Sequence, residues 1–144
     1  MDIQAYITHN KMGNPRNLRW CIMDTKSILK ETAAGRDFYL CLGDFLDEFY
    51  RVSDCERQAM ILPSPDDGCE QEYIAYLAAT VHKLANDYGI VVPDWVFDER
   101  CYFRDKPFFG CNAKGNLRLL FMYKSPPEFK HSNLFVDENV LRRV

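Results

Sequence analysis

Apolar side chains recur every three or four positions through long stretches of the chain, and this spacing predicts amphipathic helices. The clearest stretch begins at Phe38, where the charged residues fall between the apolar ones. Its apolar stripe consists of Phe38, Leu42, Phe45, Leu46, Phe49 and Val52. A helix with one apolar and one charged face packs its apolar face against other elements, so this segment predicts the centre of a helical core.

Residues typical of helix ends mark the helices on either side. A first helix is predicted from Asn14-Pro15, with Asn as the N-cap and Pro at the first helical position, to Gly35. Ser53-Asp-Cys-Glu56 has the form of a capping box and predicts a short third helix through Met60 or Ile61.

A fourth helix is predicted from about Cys69 to Tyr88, closed by Gly89 in the left-handed conformation. The stretch that follows, residues 91–112, is irregular, because Pro93 and Pro107 exclude a continuous helix. Its aromatic rings are predicted to lie across the second and fourth helices as a lid over the core. These rings belong to Trp95, Phe97, Tyr102, Phe103, Phe108 and Phe109.

The C-terminal part of the chain predicts short elements. Residues 116–124 fit both a strand and a helix, and the lack of a clear partner strand favours a helix. Ser125 is predicted to cap a short helix, followed by an extended piece at 133–136. Asp137 is predicted to cap a last helix.

These patterns predict a mainly α protein. A chain of 144 residues suits one domain. We expect a single-domain helical bundle over residues 14–144, with an irregular segment rich in aromatic residues and prolines and with short C-terminal helices. Residues 1–13 show no clear period and are predicted to form an N-terminal arm that is mobile or ordered by a partner.

Several sequence features bear on the location of the protein. No window of 18 apolar residues predicts a membrane span, and the N-terminus lacks the layout of a secretion signal. The six cysteines are scattered without a CxxC pair, which favours reduced structural thiols over a metal site. We therefore expect a cytoplasmic protein that has no membrane partner.

Charge is distributed unevenly along the chain. The net charge is −3, but residues 36–72 carry ten acidic residues against three arginines, and residues 101–144 carry eight basic residues against four acidic ones. A nucleic-acid binder usually has a dense basic stripe, and here the basic residues are dispersed. This pattern is typical of a solvated surface with two differently charged faces, and the alternative is a protein partner that docks by charge complementarity.

Motifs for chemistry are scarce. The chain has no phosphate-binding glycine loop, no HExxH and no GxSxG, so no catalytic residue, metal site or cofactor is predicted. Two alternatives remain open. One is a small metal-dependent nuclease or transferase that uses Asp44, Asp47 or Glu48 of the second helix. The other is a nucleic-acid-binding regulator that uses its basic C-terminal end, made up of Lys124, Lys130, His131, Arg142 and Arg143.

From Phe38 onward the chain resembles a domain found in many uncharacterised bacterial proteins, where it often follows a helix-turn-helix domain. The resemblance is carried by Phe45-Leu-Asp-Glu-Phe-Tyr50, Tyr76-Leu-Ala-Ala79, Leu84-Ala85, Tyr88-Gly89, Pro93-Asp-Trp-Val96, Pro107-Phe-Phe109, Leu117-Arg118, Ser125-Pro-Pro-Glu-Phe129, Asn133-Leu-Phe-Val136 and Leu141-Arg-Arg-Val144. It implies an antitoxin-like or regulatory protein, often encoded beside a nucleotidyltransferase-like partner, and it implies no catalytic residues. The 37 residues before Phe38 are too few for a complete helix-turn-helix domain.

The resulting hypothesis is a non-catalytic protein-binding module whose contact surfaces are acidic, aromatic and basic in different places. Aromatic side chains supply much of the binding energy of such surfaces. The candidate contact residues are Asp44, Asp47 and Glu48 on the second helix, the rings of Trp95, Phe108 and Phe109, and the basic residues Lys130 and His131. The oligomeric state is left open by the sequence.

Overall fold

The computed structural model describes residues 23–102 and 106–143, and within these ranges it confirms the mainly α fold. The helices are α1 (Thr25–Ala33), α2 (Phe38–Arg51), α3 (Asp54–Ile61), α4 (Gln71–Tyr88), α5 (Asn116–Lys124) and α6 (Pro127–His131). Single 3₁₀ turns lie at Asp94–Phe97, Glu99–Cys101 and Gly110–Asn112. The strands β1 (Phe108–Phe109) and β2 (Leu134–Phe135) have two residues each and pair in parallel.

The core is built around α2 and α4, the two longest helices that the structure describes. Phe45 and Phe49 of α2 are fully buried, and so are Leu77 and Val81 of α4. The small residues Ala75, Ala78, Ala79 and Ala85 of α4 are also buried, which lets neighbouring elements approach that helix closely. The predicted stripe of α2 is therefore the face that packs.

The helix ends confirm the predicted capping roles of Ser53 and Gly89. Ser53 accepts from the amide of Glu56 at the start of α3, and Asp37, which the sequence analysis does not name, accepts from that of Leu40 at the start of α2. Gly89 closes α4 at φ 67°, in the left-handed region that glycine enters without steric cost. Thus α2, α3 and α4 begin or end where the sequence predicts, to within two residues.

The prediction for the first helix was wrong in part. Residues 23–24 are not helical, and Asp24 is the N-cap of α1, because its carboxylate accepts from the amide of Ser27 at 2.8 Å. Helix α1 therefore begins at Thr25, and a single continuous helix from Asn14 to Gly35 is excluded. The predicted start at Asn14-Pro15 and the predicted arm at 1–13 lie outside the described residues.

The C-terminal part confirms one prediction and brings two corrections. The predicted extended piece at 133–136 contains β2, which pairs with β1. Ser125 does not cap α6, because its hydroxyl accepts from the buried amide of Val136 at 2.7 Å and so ties α5 to the chain after β2. The residues after Asp137 form turns instead of a last helix, and the amide of Val140 donates to the carbonyl of Asp137.

The irregular segment covers α3 and α4. Trp95 is buried and donates its indole N–H to the carbonyl of Ile61 at 3.1 Å. The turns at Asp94–Phe97 and Glu99–Cys101 both pack on α4. The predicted aromatic lid is thus partly built into the core, while Phe97 is half exposed on its outer side.

Candidate functional site

The three carboxylates of α2 do not converge on one point. Each forms an ion pair with a different arginine: Asp44 with Arg36, Asp47 with Arg143, and Glu48 with Arg51. The hydrogen bonds from Arg143, at 2.9 and 3.1 Å, hold the pKa of Asp47 below its usual value. Among the residues that the structure describes, no group of three or more His, Cys, Asp or Glu side chains is arranged to hold a metal ion.

The three predicted aromatic contact residues lie in different surroundings. Trp95 is inside the core, so its ring is not offered to a partner in this structure. Phe108 and Phe109 are half-buried on β1. Phe109 stacks on Phe135 at 5.3 Å between ring centroids, and the guanidinium of Arg118 lies 4.5 Å from its ring centre.

The five basic C-terminal residues are exposed, and four of them are engaged with separate partners. Lys130 donates to the carbonyl of Tyr123 at 2.9 Å, and the ring of His131 lies 3.0 Å from the hydroxyl of Tyr102. Lys124 pairs with Glu138 at 3.5 Å, while Arg143 reaches across to α2. They do not form one continuous stripe of unpaired positive charge.

Helix α5 carries half of the ten large apolar side chains that are exposed in the described part of the chain, and it is not among the contact surfaces predicted from the sequence. Phe121 is its only buried residue, because α5 packs on the body of the protein chiefly through β2. Five large apolar side chains of this nine-residue helix are exposed: Leu117, Leu119, Leu120, Met122 and Tyr123. Such a density of exposed apolar side chains on one element is typical of an interaction site.

Three of these side chains form a stripe on the outer face of α5. Leu119, Met122 and Tyr123 stand at i, i+3 and i+4, so they are neighbours on the helix surface. Residues two positions apart project roughly 200° apart, so Leu119 and Tyr123 point away from the side on which Phe121 is buried. They are 64% and 80% exposed, and Met122 is 47% exposed. We call Leu119, Met122 and Tyr123 the outer stripe.

A cavity of about 570 Å³ lies between α2, α4 and the Gly110–Asn112 turn. We call it the α2–α4 cavity. Its walls include Tyr39, Tyr76, Phe108 and the carboxylates of Glu72 and Asp137. A second cavity of about 500 Å³ shares Glu72, Phe108, Phe109 and Asn112 with it and is otherwise lined by Lys106, Lys114 and Arg118 among others.

The α2–α4 cavity contains two polar groups in unusual settings. Tyr76 is only 5% exposed, yet its hydroxyl has no hydrogen-bond partner among the described residues. Burial raises its pKa, and the neighbouring groups Tyr39 and Cys111 raise it further. Burial also raises the pKa of Glu72, with Glu70 adding to the effect and Lys106 opposing it.

The rim of this cavity has unusual backbone geometry. Cys111 and Asn112 are successive non-glycine residues at φ 55° and 51°. The left-handed region is unfavourable for most residues with a Cβ, although asparagine tolerates it. Gly110, Cys111 and Asn112 all line the cavity, so this turn forms part of its wall.

None of the helices that the structure describes is both long and apolar enough to cross a membrane. No protein-family model, curated protein or solved structure matches the chain.

Proposed function

We propose that this protein is a non-catalytic protein-binding module whose docking surface is the outer stripe of α5. The exposure of Leu119, Met122 and Tyr123 carries the proposal, because these side chains belong to a regular helix and yet cover no core. A helix that lays an apolar face into a groove of its partner is a common mode of recognition. Leucine, methionine and tyrosine at i, i+3 and i+4 supply the anchors for such a groove.

The chemistry of the surroundings identifies the kind of partner. Helix α5 carries Arg118 and Lys124 and no acidic residue, and Lys114 and Lys130 lie near its two ends. An apolar stripe beside basic side chains is complementary to an apolar groove with an acidic rim. We therefore propose a protein partner of that character, as opposed to a nucleic acid.

The resemblance of the sequence to antitoxin-like or regulatory bacterial proteins supports the same class of function. Many of the residues that carry the resemblance, such as Phe45, Phe49, Trp95, Phe129 and Leu134, are buried. They maintain the scaffold that presents α5. We propose that the partner is the nucleotidyltransferase-like product of an adjacent gene.

The experiment is co-expression with the adjacent gene product, followed by calorimetric titration of the two purified proteins. We expect a complex at micromolar concentrations. The double substitution Leu119→Ser with Tyr123→Ser should weaken it at least roughly tenfold, about 1.4 kcal/mol, because apolar anchors supply most of the energy of an interface. Higher salt should also weaken it, because charges at the rim are screened.

Leu40→Ser is the control, and it is matched to the Leu119→Ser half of the double variant. Leu40 lies on α2 and is 65% exposed, against 64% for Leu119, so these two leucine substitutions remove similar apolar surface from the isolated protein. The control should bind like the unchanged chain. Absence of a complex, or equal losses for the control and the double variant, would refute the proposal.

A further inference from the structure

The α2–α4 cavity lies apart from the outer stripe and has the properties of a binding site for a small molecule. Its volume of about 570 Å³ is within the range of ligand pockets, roughly 300–1,000 Å³. Such pockets combine mostly apolar walls with a few polar groups that orient the ligand. Here the rings of Tyr39, Tyr76 and Phe108 supply the walls.

The charged groups on its described wall are all negative. Glu72 and Asp137 line the cavity, and no lysine or arginine does so among the described residues. Glu72 is half-buried and forms no hydrogen bond or close ion pair with a residue that the structure describes. Lys106, in the wall of the adjoining cavity, offsets its charge only in part, because the pKa of Glu72 is still raised by burial. A bound cation would relieve the remaining cost of burying the carboxylate.

The hydroxyl of Tyr76 provides an independent indication. A buried polar group almost always has a hydrogen-bond partner, so an unpaired one calls for an explanation. The phenol is nineteen-twentieths buried and interacts electrostatically with Tyr39 and Cys111, which both line the cavity. Tyr76 itself lines the cavity, so a ligand bound there could pair with its hydroxyl.

We propose that the α2–α4 cavity binds a small organic ammonium ion. Aromatic rings attract such cations through their negative faces, and rings combined with carboxylates are the usual means of recognising alkylated ammonium groups. In this site the rings surround the alkyl groups, Glu72 and Asp137 balance the charge, and the hydroxyl of Tyr76 accepts from an N–H or pairs with a polar substituent. An anion is disfavoured by both carboxylates.

Choline and dimethylbutanol provide a matched pair of probes, because they have the same shape and differ by the positive nitrogen. Each is titrated into the purified protein and followed by two-dimensional amide NMR. We expect choline to produce saturable shifts at the amides of Cys111, Asn112 and Glu72. Dimethylbutanol should bind with at most a tenth of the affinity of choline, a difference of roughly 1.4 kcal/mol.

Substitutions locate the effect. Glu72→Gln should weaken choline binding roughly tenfold. Glu70→Gln is the control, because Glu70 lies at the start of the same helix and contributes to the field at Glu72 without lining the cavity. It should leave the affinity within about twofold. Tyr76→Phe keeps the ring and removes the hydroxyl. It should weaken the binding of choline, which carries a hydroxyl group, more than the binding of tetramethylammonium, which has none.

Three results would overturn the proposal: equal binding of choline and dimethylbutanol, no saturable shift at millimolar choline, or equal affinities for Glu72→Gln and the unchanged chain. The first would show an apolar pocket that does not recognise charge. None of these outcomes bears on the outer stripe, so the docking surface and the cavity are tested separately.

Discussion

Trp95 and Tyr76 are both buried, and they differ in whether their polar group has a hydrogen-bond partner. The indole N–H of Trp95 donates to the carbonyl of Ile61, which lies at the end of α3 where helical carbonyls lack intrahelical partners. The hydroxyl of Tyr76 has no such partner among the described residues. The hydrogen bond of Trp95 therefore stabilises the fold, whereas the hydroxyl of Tyr76 remains available to a ligand in the cavity.

Substitution by phenylalanine tests this difference. Trp95→Phe should lower the free energy of unfolding by about 1–3 kcal/mol, because it unpairs a carbonyl and leaves a void. Tyr76→Phe should leave it unchanged or raise it by up to about 1 kcal/mol, because a hydroxyl without a partner is removed from the core. Urea denaturation followed by circular dichroism measures both. A large loss for Tyr76→Phe would mean that its hydroxyl makes a stabilising bond.

At the level of elements, the end of the chain is attached to α2 through Arg143. Its guanidinium lies over Gly43 and forms two hydrogen bonds with Asp47, one helical turn further on. A side chain at position 43 would meet the guanidinium, since a Cβ built there lies 3.1 Å from one of its nitrogens. A glycine inside a helix otherwise lowers its stability relative to alanine.

Gly43→Ala should therefore raise the stability. The guanidinium is the far end of a flexible side chain and can move aside, and ion pairs at an exposed surface contribute little. The gain in helix propensity, up to about 1 kcal/mol, should exceed the loss. The midpoint of urea unfolding should increase. A decrease would show that Arg143 is held in place more firmly than an exposed ion pair allows.

The elements also show what the sequence could predict. The apolar period predicts α2, the capping box at Ser53 predicts α3, and α4 has both an apolar face and the closing Gly89. The pattern of α5 fits a strand as well as a helix, and its exposed apolar residues leave no single buried face to distinguish the two. The strand pair was missed since two residues are too short for a periodic pattern, and β1 finds its partner 26 positions along the chain.

The candidate site was less accessible to sequence reasoning than the fold. Tryptophan is a residue type typical of interface anchors, so the sequence alone suggests that Trp95 contacts a partner. The hydrogen bond from its indole to the carbonyl of Ile61 shows instead that it belongs to the core. The outer stripe has a signal that could have been found, since a helix with apolar residues on every side must expose some of them. The α2–α4 cavity joins residues from four separate segments, so no local pattern reveals it.

At the scale of the whole molecule, His82 links stability to pH. Burial lowers its pKa, His131 lowers it further, and Glu128 opposes both; the ring of Phe97 packs against it at 5.4 Å. The unfolded chain therefore binds this proton more readily than the folded one. It follows that the stability contributed by neutral His82 is present above a pH of about 6.5 and decreases as the pH falls below that value.

The measurement is urea unfolding at about pH 7.5 and about pH 5.5, for the unchanged chain and for His82→Gln. The unchanged chain should lose stability on acidification, and His82→Gln should lose less, because glutamine does not titrate. Equal losses in both proteins would show that other groups control the acid sensitivity.

The described part of the molecule thus presents the outer stripe of α5 on a scaffold whose core contains many aromatic residues. Hydrogen exchange of the chain alone and in complex with the adjacent gene product tests this most directly. We predict that binding slows exchange of the amides of Asn116–Lys124 and leaves those of Gln71–Tyr88 unchanged, since α4 is already buried. Slowed exchange confined to other segments, with α5 exchanging as in the free chain, would contradict docking through the outer stripe.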